Sequence, residues 1–360
     1  MVVAECDIST GLHPVELTSL PTQPLVSILI SNYNYARYIG ECIQSVLDQT
    51  YSNLELIICD DGSTDESAGV IEHYAGKDPR VRLIRKANGG QASGLNAAFA
   101  ASRGAILSLL DSDDLFLPHK VERIVADFHA HPDCGFGIHR VIRVSASHRR
   151  QGVWPMSAPL PCGWYGARLL KDGGILPFMP PTSGLSLHRD VAERIFPLPL
   201  EAPLVNCPDQ LITRLAPLLT NVTREDEALS EYRLHGGNNY GPDRVTAASF
   251  KRELEYCEAL WCAQRRFLAT IDLRLAEDFQ PLNLHPYTAH TSYLRARLAR
   301  DPDVRSHYDR YMACTGRDRR LAWFWKLSIY LPYAVFDFAV NLLVQQSRLK
   351  QMIAHFKKML

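Results

Sequence analysis

The sequence predicts an α/β protein with a mostly parallel sheet flanked by helices, followed by a helical C-terminal extension. Two observations lead to this prediction. Apolar runs of strand length alternate with helical patterns between residues 25 and 110, and this alternation is typical of parallel sheets with right-handed crossovers. From about residue 247 the strand pattern stops, and apolar residues recur at helical spacing.

Length and composition limit the classes of protein that need to be considered. The chain has 360 residues, enough for one large domain and a smaller one. Lys plus Arg equal Asp plus Glu at 39 each, so no overall electric field favours a polyanion, and we expect no nucleic-acid partner. The start of the chain lacks the basic residues and apolar core of a signal peptide, so we expect none.

The cysteines and scattered histidines show no metal-ligand spacing. Nine cysteines include no C-x-x-C pair, and we expect reduced thiols in a cytoplasmic protein. His131, His139 and His148 likewise match no ligand pattern. We therefore expect these histidines to be solvated or packed, and we look elsewhere for chemistry.

The predicted elements begin after an irregular segment. Residues 1–23 contain prolines and no sustained period, so we expect a flexible lead-in. The expected strands are 25–30, 54–59, 81–84 and 105–110, with helices between them at about 39–47, 65–74 and 92–101. Polar clusters follow three of these strands, and ligands of such sheets bind beyond the carboxyl ends of the strands.

The most informative cluster is acidic. Asp111, Asp113 and Asp114 follow the buried strand 105–110, and their mutual repulsion needs compensation by a cation or strong donors. Oxygen ligands on a short bend suit Mg²⁺ or Mn²⁺. The alternative is a solvated turn, with Pro118 opening the next helix. The cluster alone leaves both interpretations open.

Two further clusters are expected at the same edge of the sheet. Residues 32–35 could cap the first helix, and residues 60–63 could form only a turn. Yet adjacent carboxylates at a strand end can also accept hydrogen bonds from a nucleobase imide and from ribose hydroxyls. Together, the three clusters predict a nucleotide-diphosphate pocket that lacks the Gly-rich phosphate loops of other nucleotide-binding folds.

Four segments in order carry a family resemblance: VSILISNYN (26–34), QTYSNLE (49–55), DDGSTD (60–65) and LDSDD (110–114). Over about residues 24–240 the chain resembles the family 2 glycosyltransferases, which are inverting enzymes with the GT-A fold. The resemblance implies that Asp61 binds the base, with Ser31 and Asn34 lining its pocket. It also implies that Asp111 approaches the ribose and that Asp113 holds Mn²⁺ or Mg²⁺ between the two phosphates.

Later residues extend the resemblance. The segment from Asn88 and Gly90 to Asn96 is similar to a donor-side loop, although Leu95 stands where many relatives have arginine. Residues 182–189 look like the family's return strand, which faces the acceptor.

Asp209 precedes an apolar-faced helix and could be only its N-cap. By resemblance, it is the base that deprotonates the acceptor hydroxyl, although Pro208 replaces the common glutamate. The resemblance also implies that Arg233 approaches the diphosphate and that His235 completes the metal shell.

Residues 321–344 form a mostly apolar tract of membrane-spanning length. Pro332 and several polar residues argue against a span. On a helical wheel one stripe is polar, comprising Lys326, Tyr330, Tyr333, Asp337 and Asn341. This pattern is typical of an amphipathic segment lying in a membrane surface. A helix pair packed on the protein is the alternative, and both stay open.

We therefore expect a flexible lead-in (1–23), a GT-A domain (24–245) and a helical C-terminal region (246–360). The expected activity is metal-dependent inverting glycosyl transfer, from a nucleotide-sugar donor such as a UDP-sugar to a saccharide or lipid-linked acceptor. Bacterial cell-surface polysaccharide or glycolipid assembly is the expected context, in the cytoplasm or peripherally on the inner face of the membrane. The alternatives are a nucleotidyltransferase on a related fold and a catalytically silent sugar-nucleotide-binding subunit.

Overall fold

A computed structural model describes residues 12–155, 159–166, 169, 176, 179–235, 247–271, 286–314 and 328–341. The chain divides into two compact units. The first comprises Met1–Leu170, Ile175–His235 and Ala263–Arg274, and the second comprises Lys171–Gly174, Gly236–Cys262 and Leu275–Leu360. The domain boundaries expected from the sequence stay a prediction.

The helices and strands follow the alternation expected from the sequence. In chain order they are β1 (Val26–Asn32), α1 (Ala36–Leu47), β2 (Leu54–Asp60), α2 (Ser67–Ala75), β3 (Val81–Arg85), α3 (Gln91–Ala101), β4 (Ile106–Leu109), β5 (Leu115–Phe116), α4 (Lys120–Ala130), β6 (Cys134–Ser145), β7 (Arg150–Trp154), β8 (Leu185–His188), α5 (Arg189–Ile195), α6 (Pro208–Leu219), β9 (Asn221–Leu234), α7 (Ala247–Thr270), α8 (Pro286–Ala299) and α9 (Val304–Cys314). The described elements beyond residue 247 are helical, as expected for the C-terminal region.

One sheet organises the first unit. Its strand order is β3-β2-β1-β4-β8-β6-β9-β5, and β7 pairs with β6. The first four strands are mutually parallel, as predicted, and β6 is parallel to β9. The strands after residue 110 add antiparallel pairs, including β8 with both β4 and β6. The predicted α/β class with flanking helices is confirmed.

The core of the first unit lies between the sheet and its helices. Nearly every residue of β1 and every residue of β2 is buried, because helices cover both faces of a parallel sheet. Helix α1 buries Ile39, Ile43 and Val46 from one face, and this spacing is typical of an amphipathic helix.

The strand register brings the polar clusters together. Asn32 at the end of β1 lies opposite Asp60 at the end of β2. Leu29 of β1 lies opposite Leu109 of β4, so the acidic segment that begins at Asp111 leaves the sheet at the same edge.

Residues 12–23 lack regular secondary structure but contact the rest of the first unit. The flexibility expected for residues 1–23 stays a prediction. Leu12 is buried, and the Val15 N–H donates to the Leu219 carbonyl at 2.7 Å. The Thr18 carbonyl lies 3.0 Å from His188 Nε2. Backbone hydrogen bonds of this kind have no periodicity, so the prolines and mixed composition of the segment hid them. Residues 1–11 lie outside the described residues.

The second unit has its own apolar cluster, centred on Tyr293. Its other buried members are Leu294, Leu298, Tyr308, Tyr311, Phe336 and Val340. The helical segment 333–341 supplies Phe336 and Val340. Within the described part of the chain, no helix combines the length and apolar character that a membrane span requires. The remainder of the tract 321–344, including Lys326, lies outside the described residues.

Basic side chains are buried in the first unit as well. Lys120 and His139 are fully buried; Lys120 Nζ lies 3.3 Å from Ser186 Oγ and 4.1 Å from the centre of the Phe116 ring. Burial lowers the pKa of Lys120 well below its usual range. Burial, with a contribution from the Lys120 charge, lowers the pKa of His139 to about 3. His139 is therefore packed as a neutral side chain.

We predict that His139 makes the fold sensitive to acid. Below the ordinary histidine pKa of about 6.5, His139 becomes protonated in the unfolded chain but stays neutral in the folded protein. The free energy of unfolding therefore falls as pH decreases. One such group contributes a slope of up to about 1.4 kcal/mol per pH unit. In urea unfolding at pH 7 and pH 5, His139→Gln should therefore lose less stability than the wild type. Exposed His129 supplies the matched control, His129→Gln. Equal losses in wild type and His139→Gln would contradict the prediction.

Candidate active site

Asp61 lies immediately after β2, and its carboxylate is enclosed by residues 86–90, the loop between β3 and α3. The N–H of Gly89 donates to both carboxylate oxygens at 3.1 Å, and the N–H of Gly90 donates to Oδ2 at 2.7 Å. Lys86 Nζ forms an ion pair with Oδ1. This set of donors holds a buried, negatively charged carboxylate in a fixed orientation at the rim. Asn88, in the same loop, is exposed.

Ser31 and Asn34 contact other residues of the first unit. The Ser112 hydroxyl donates to the Ser31 carbonyl at 2.9 Å, and a Cβ on Gly94 would overlap the Ser31 hydroxyl. Asn34 has a left-handed backbone with φ of 60°, and its Oδ1 accepts from the Thr64 N–H at 2.7 Å. Both residues therefore shape the rim, and their expected contacts with a base stay predictions.

Asp111 is a buried carboxylate whose pKa depends on its neighbours. Gln91, the first residue of α3, donates from Nε2 to Asp111 Oδ1 at 2.8 Å. Burial raises the pKa of Asp111 well above its usual range, and the charges of Asp113 and Asp209 raise it further. Asp209, nearly a hundred residues away in sequence, therefore acts electrostatically on the same site.

Asp114 has a structural role. The sequence did not distinguish this aspartate from Asp111 and Asp113. Its side chain is fully buried. Oδ2 accepts from the Ser183 hydroxyl at 2.5 Å, and Oδ1 accepts from the Arg233 N–H at 2.9 Å. The carboxylate therefore ties the acidic segment to β9 and to the turn before β8.

Asp113 and His235 lie together, as the family resemblance implies. His235 Nε2 is 2.8 Å from Asp113 Oδ2, and the His235 ring stacks on Tyr38 with a centroid distance of 4.8 Å. One carboxylate and one imidazole suit Mn²⁺ or Mg²⁺ when substrate oxygens and water complete the coordination. No cluster of three or more His, Cys, Asp or Glu suited to a metal is found among the described residues. The metal role stays a prediction.

Arg233 is buried and ion-paired inside the domain. Its Nη2 lies 2.7 Å from Glu41 Oε2, and its guanidinium lies over the Tyr38 ring at 4.8 Å. His148, on the turn between β6 and β7, lies 3.2 Å from the same Glu41 oxygen. The expected contact of Arg233 with a diphosphate stays a prediction.

Asp209 lies inside the first turn of α6. Cys207 occupies the N-cap position, so the alternative that Asp209 is the N-cap is wrong. Burial raises the pKa of Asp209, which makes its carboxylate a better proton acceptor. A base needs to be ionised and yet basic, and a raised carboxyl pKa brings these two requirements closer together.

Sequence reasoning missed two contacts at the rim. It identified the segment 88–96 but not the Lys86 ion pair with Asp61 or the Gln91 bond to Asp111. The position of Gln91 at the start of a helix beside the acidic strand end was the available signal. Lys86 gave none, because a lysine after an edge strand is usually solvated.

We predict that Gly90→Ala destabilises the fold. Gly90 has φ of 87°, and an added Cβ would lie 2.6 Å from Val205 Cγ2. Backbone strain of this kind costs about 1–3 kcal/mol, before any displacement of Val205. Gly69→Ala is the matched control, because Gly69 lies within α2 and its Cβ would meet nothing closer than 3.8 Å. Chemical denaturation should show a loss of stability for Gly90→Ala and none for Gly69→Ala; equal effects would contradict the strain argument.

Comparisons with known proteins identify the family of this chain. The glycosyl transferase family 2 model matches residues 27–196. An uncharacterized glycosyltransferase of Nostoc sp. is 37% identical over 232 residues, covering 64% of this chain and 70% of the relative. The hyaluronan synthase of Pasteurella multocida is 46% identical over 117 residues, covering 32% of this chain. This chain spans only 12% of that synthase.

A solved structure supports the fold. The crystal structure of S. aureus TarS 1–349 in complex with UDP-GlcNAc aligns with 82% of this chain and 93% of its own, with a TM-score of 0.50 and 16% sequence identity. The family resemblance of the four segments is confirmed. The chain belongs to glycosyl transferase family 2 and has the GT-A fold.

Proposed function

We propose that this glycosyltransferase moves a sugar from a UDP-sugar to an acceptor hydroxyl, with inversion at the anomeric carbon and with a divalent metal. The observation that carries the proposal is the convergence of Asp61, Asp111 and Asp113 on one rim, where the charge of Asp209 acts on Asp111. The likeness to a Pasteurella hyaluronan synthase supports a role in bacterial cell-surface polysaccharide or glycolipid assembly. The acceptor is then a saccharide or a lipid-linked saccharide.

The Asp61 and Lys86 pair supports uracil as the base. Uracil presents an imide N–H beside carbonyl oxygens, so it matches one acceptor and one cationic donor held together. When the base binds, Lys86 Nζ donates to a base carbonyl instead of to Asp61 Oδ1. Asp61 Oδ1 then accepts the imide N–H. Cytosine presents no N–H at the ring position that faces the carboxylate, so the same pair disfavours it.

Asp209 acts as the base in a single displacement. It removes the proton from the acceptor hydroxyl, whose oxygen attacks the anomeric carbon from the face opposite the nucleotide. The bond between that carbon and the diphosphate oxygen breaks, and the nucleoside diphosphate leaves with the bonding electrons. One displacement of this kind inverts the anomeric centre.

Asp113 and His235 would hold Mn²⁺ or Mg²⁺. Such an ion offsets the charge that develops on a departing diphosphate. On the protein side, Gln91 orients Asp111 at 2.8 Å, and Tyr38 stacks on the His235 ring. These contacts limit the conformations of the rim before substrate arrives, which favours preorganised binding.

Product analysis tests the reaction class directly. The protein is incubated with Mn²⁺ and a panel of UDP-sugars, chosen by their thermal stabilisation of the protein, and the released nucleotide is quantified. Release of UDP supports glycosyl transfer or hydrolysis. Release of pyrophosphate from a nucleoside triphosphate and a sugar phosphate would instead indicate a nucleotidyltransferase, and no turnover with tight UDP binding would indicate a silent binding subunit.

We predict that Asp209→Asn lowers kcat by about 10²–10⁴-fold with little change in donor affinity, because its role is proton transfer in the transition state. Steady-state UDP release and UDP binding are measured for both proteins. Asp48→Asn is the matched control, since this exposed aspartate lies at the C-terminal end of α1. Weaker UDP binding with an unchanged kcat would remove Asp209 from the role of base.

We predict that Asp113→Asn uncouples metal from nucleotide binding. In the wild type, Mn²⁺ should increase the thermal stabilisation by UDP; a nucleotide at 100 times its Kd stabilises a protein by about 2.7 kcal/mol. In Asp113→Asn the increment due to Mn²⁺ should disappear, while the smaller stabilisation by UDP alone remains. His235→Gln should reduce the same increment. An undiminished Mn²⁺ increment in Asp113→Asn would exclude this metal site.

Exposed apolar side chains in the second unit support contact with a membrane surface. Tyr330, Val335 and Phe338 are 71%, 50% and 68% exposed, while Arg300 lies over the Tyr333 ring at 4.3 Å. A helix that presents aromatic and aliphatic side chains near arginine suits the interface of an anionic bilayer. This contact would keep the enzyme close to a lipid-linked acceptor.

We predict that the full chain sediments with vesicles of phosphatidylcholine and phosphatidylglycerol, and less so in high salt. The double variant Val335→Ser/Phe338→Ser should remain in the supernatant, because burial of these two side chains contributes about 1.5–3 kcal/mol each. Leu200→Ser, which changes an exposed leucine of the first unit, is the control and should sediment like the wild type. Equal sedimentation of the double variant and the wild type would contradict the membrane role of this helix.

A further inference from the structure

Helix α3 supports the loop that leads to Asp209. This loop, residues 196–207, connects α5 to α6 and contains only one short 3₁₀ turn, Leu204–Asn206. The Phe99 and Phe196 rings stack at a centroid distance of 4.5 Å. At the other end of the helix, Gly90 lies so close to Val205 that a Cβ would approach Val205 Cγ2 to 2.6 Å.

Between these two contacts, Asn96 binds the loop backbone with both ends of its amide. Its Nδ2 donates to the Leu198 carbonyl at 2.8 Å, and its Oδ1 accepts from the Leu198 N–H at 2.7 Å. Leu198 has its side chain buried, so an unpaired backbone there would be costly. Only a side-chain amide supplies one donor and one acceptor side by side in this way.

The same helix begins at the donor side of the site. The Gly90 N–H donates to Asp61 at 2.7 Å, and Gln91 donates to Asp111 at 2.8 Å. One rigid helix of 11 residues therefore contacts the two rim carboxylates with its first turn and the loop before Asp209 along its length. Helix α3 therefore connects the donor side of the site to the loop that leads to Asp209.

We propose that Asn96 is a positioning residue for glycosyl transfer. It fixes residues 196–207 to α3 and thereby holds Asp209 at the distance from the anomeric carbon that proton removal and attack require. The inference rests on the proposed role of Asp209 as the base. It gives Asn96 a role away from the donor, although the sequence placed this residue in a donor-side loop.

Two substitutions separate positioning from bulk stability. Asn96→Asp keeps the shape and the acceptor of Leu198 N–H, but places a carboxylate oxygen against the Leu198 carbonyl. Asn96→Leu removes both hydrogen bonds at similar volume. Asn53→Leu is the matched control, because Asn53 also donates to a backbone carbonyl, that of Gln23 at 2.9 Å, on the far side of β2 from the rim.

Activity is measured as UDP release from the UDP-sugar that stabilises the full chain most, with water as the acceptor and Mn²⁺ present. Both Asn96 variants should lower kcat by about tenfold or more, since small misplacements of catalytic groups cost up to about 10²-fold. Their affinity for UDP should stay within about twofold of wild type, because donor contacts are not removed. Hydrogen–deuterium exchange should become faster in residues 197–205 and remain unchanged in β2. Asn53→Leu should preserve kcat.

A double-mutant cycle with Asp209→Asn identifies the route of the effect. If Asn96 acts through Asp209, adding Asn96→Asp or Asn96→Leu to Asp209→Asn should lower kcat by less than about twofold, because the group being positioned is already gone. Equal losses in both backgrounds, or weaker UDP binding with unchanged kcat, would overturn the inference. A wild-type kcat for Asp209→Asn alone would instead overturn the proposed base, and the positioning role with it.

Discussion

Parallel strands that end at one edge impose the central constraint on this protein. The register of β1 with β2, and of β1 with β4, brings Asp60, Asp61 and the segment from Asp111 to Asp114 to the same rim. Carboxylates this close repel one another and resist ionisation. The local structure around the rim compensates this repulsion in a different way at each position.

Lys86 and two backbone N–H groups compensate the charge of Asp61. Asp114 accepts hydrogen bonds from the Ser183 hydroxyl and the Arg233 N–H. Asp113 pairs with His235. Asp111 and Asp114 receive only partial compensation, because burial and the neighbouring carboxylates keep the pKa of each well above its usual range despite their hydrogen bonds. The remaining repulsion favours binding of a cation at this end of the rim, as the proposed metal-dependent reaction requires. Asp209 adds its charge to the same rim from another element, α6.

The sequence was sufficient for the parallel strands, the polar clusters and the family, because periodicity and short segments are local signals. It was insufficient for the partners that side chains have within the fold. Asn34 closes a loop, Arg233 is buried against Glu41, and Asn96 holds the backbone of Leu198. These partners lie 30 to 192 positions away in sequence, and no local pattern encodes them. The contacts of residues 12–23 could not be predicted for the same reason, since they join the backbone of this segment to distant strands and helices.

The stereochemistry of the product tests the central claim most directly, because a single displacement inverts the anomeric carbon, whereas a double displacement through a covalent intermediate retains its configuration. Proton NMR can follow the first minutes of hydrolysis of an α-linked UDP-sugar in the presence of diamagnetic Mg²⁺, before the released sugar mutarotates. We predict that the β-anomer appears first. Initial release of the α-anomer would mean retention of configuration, and would contradict the inverting mechanism proposed for this rim.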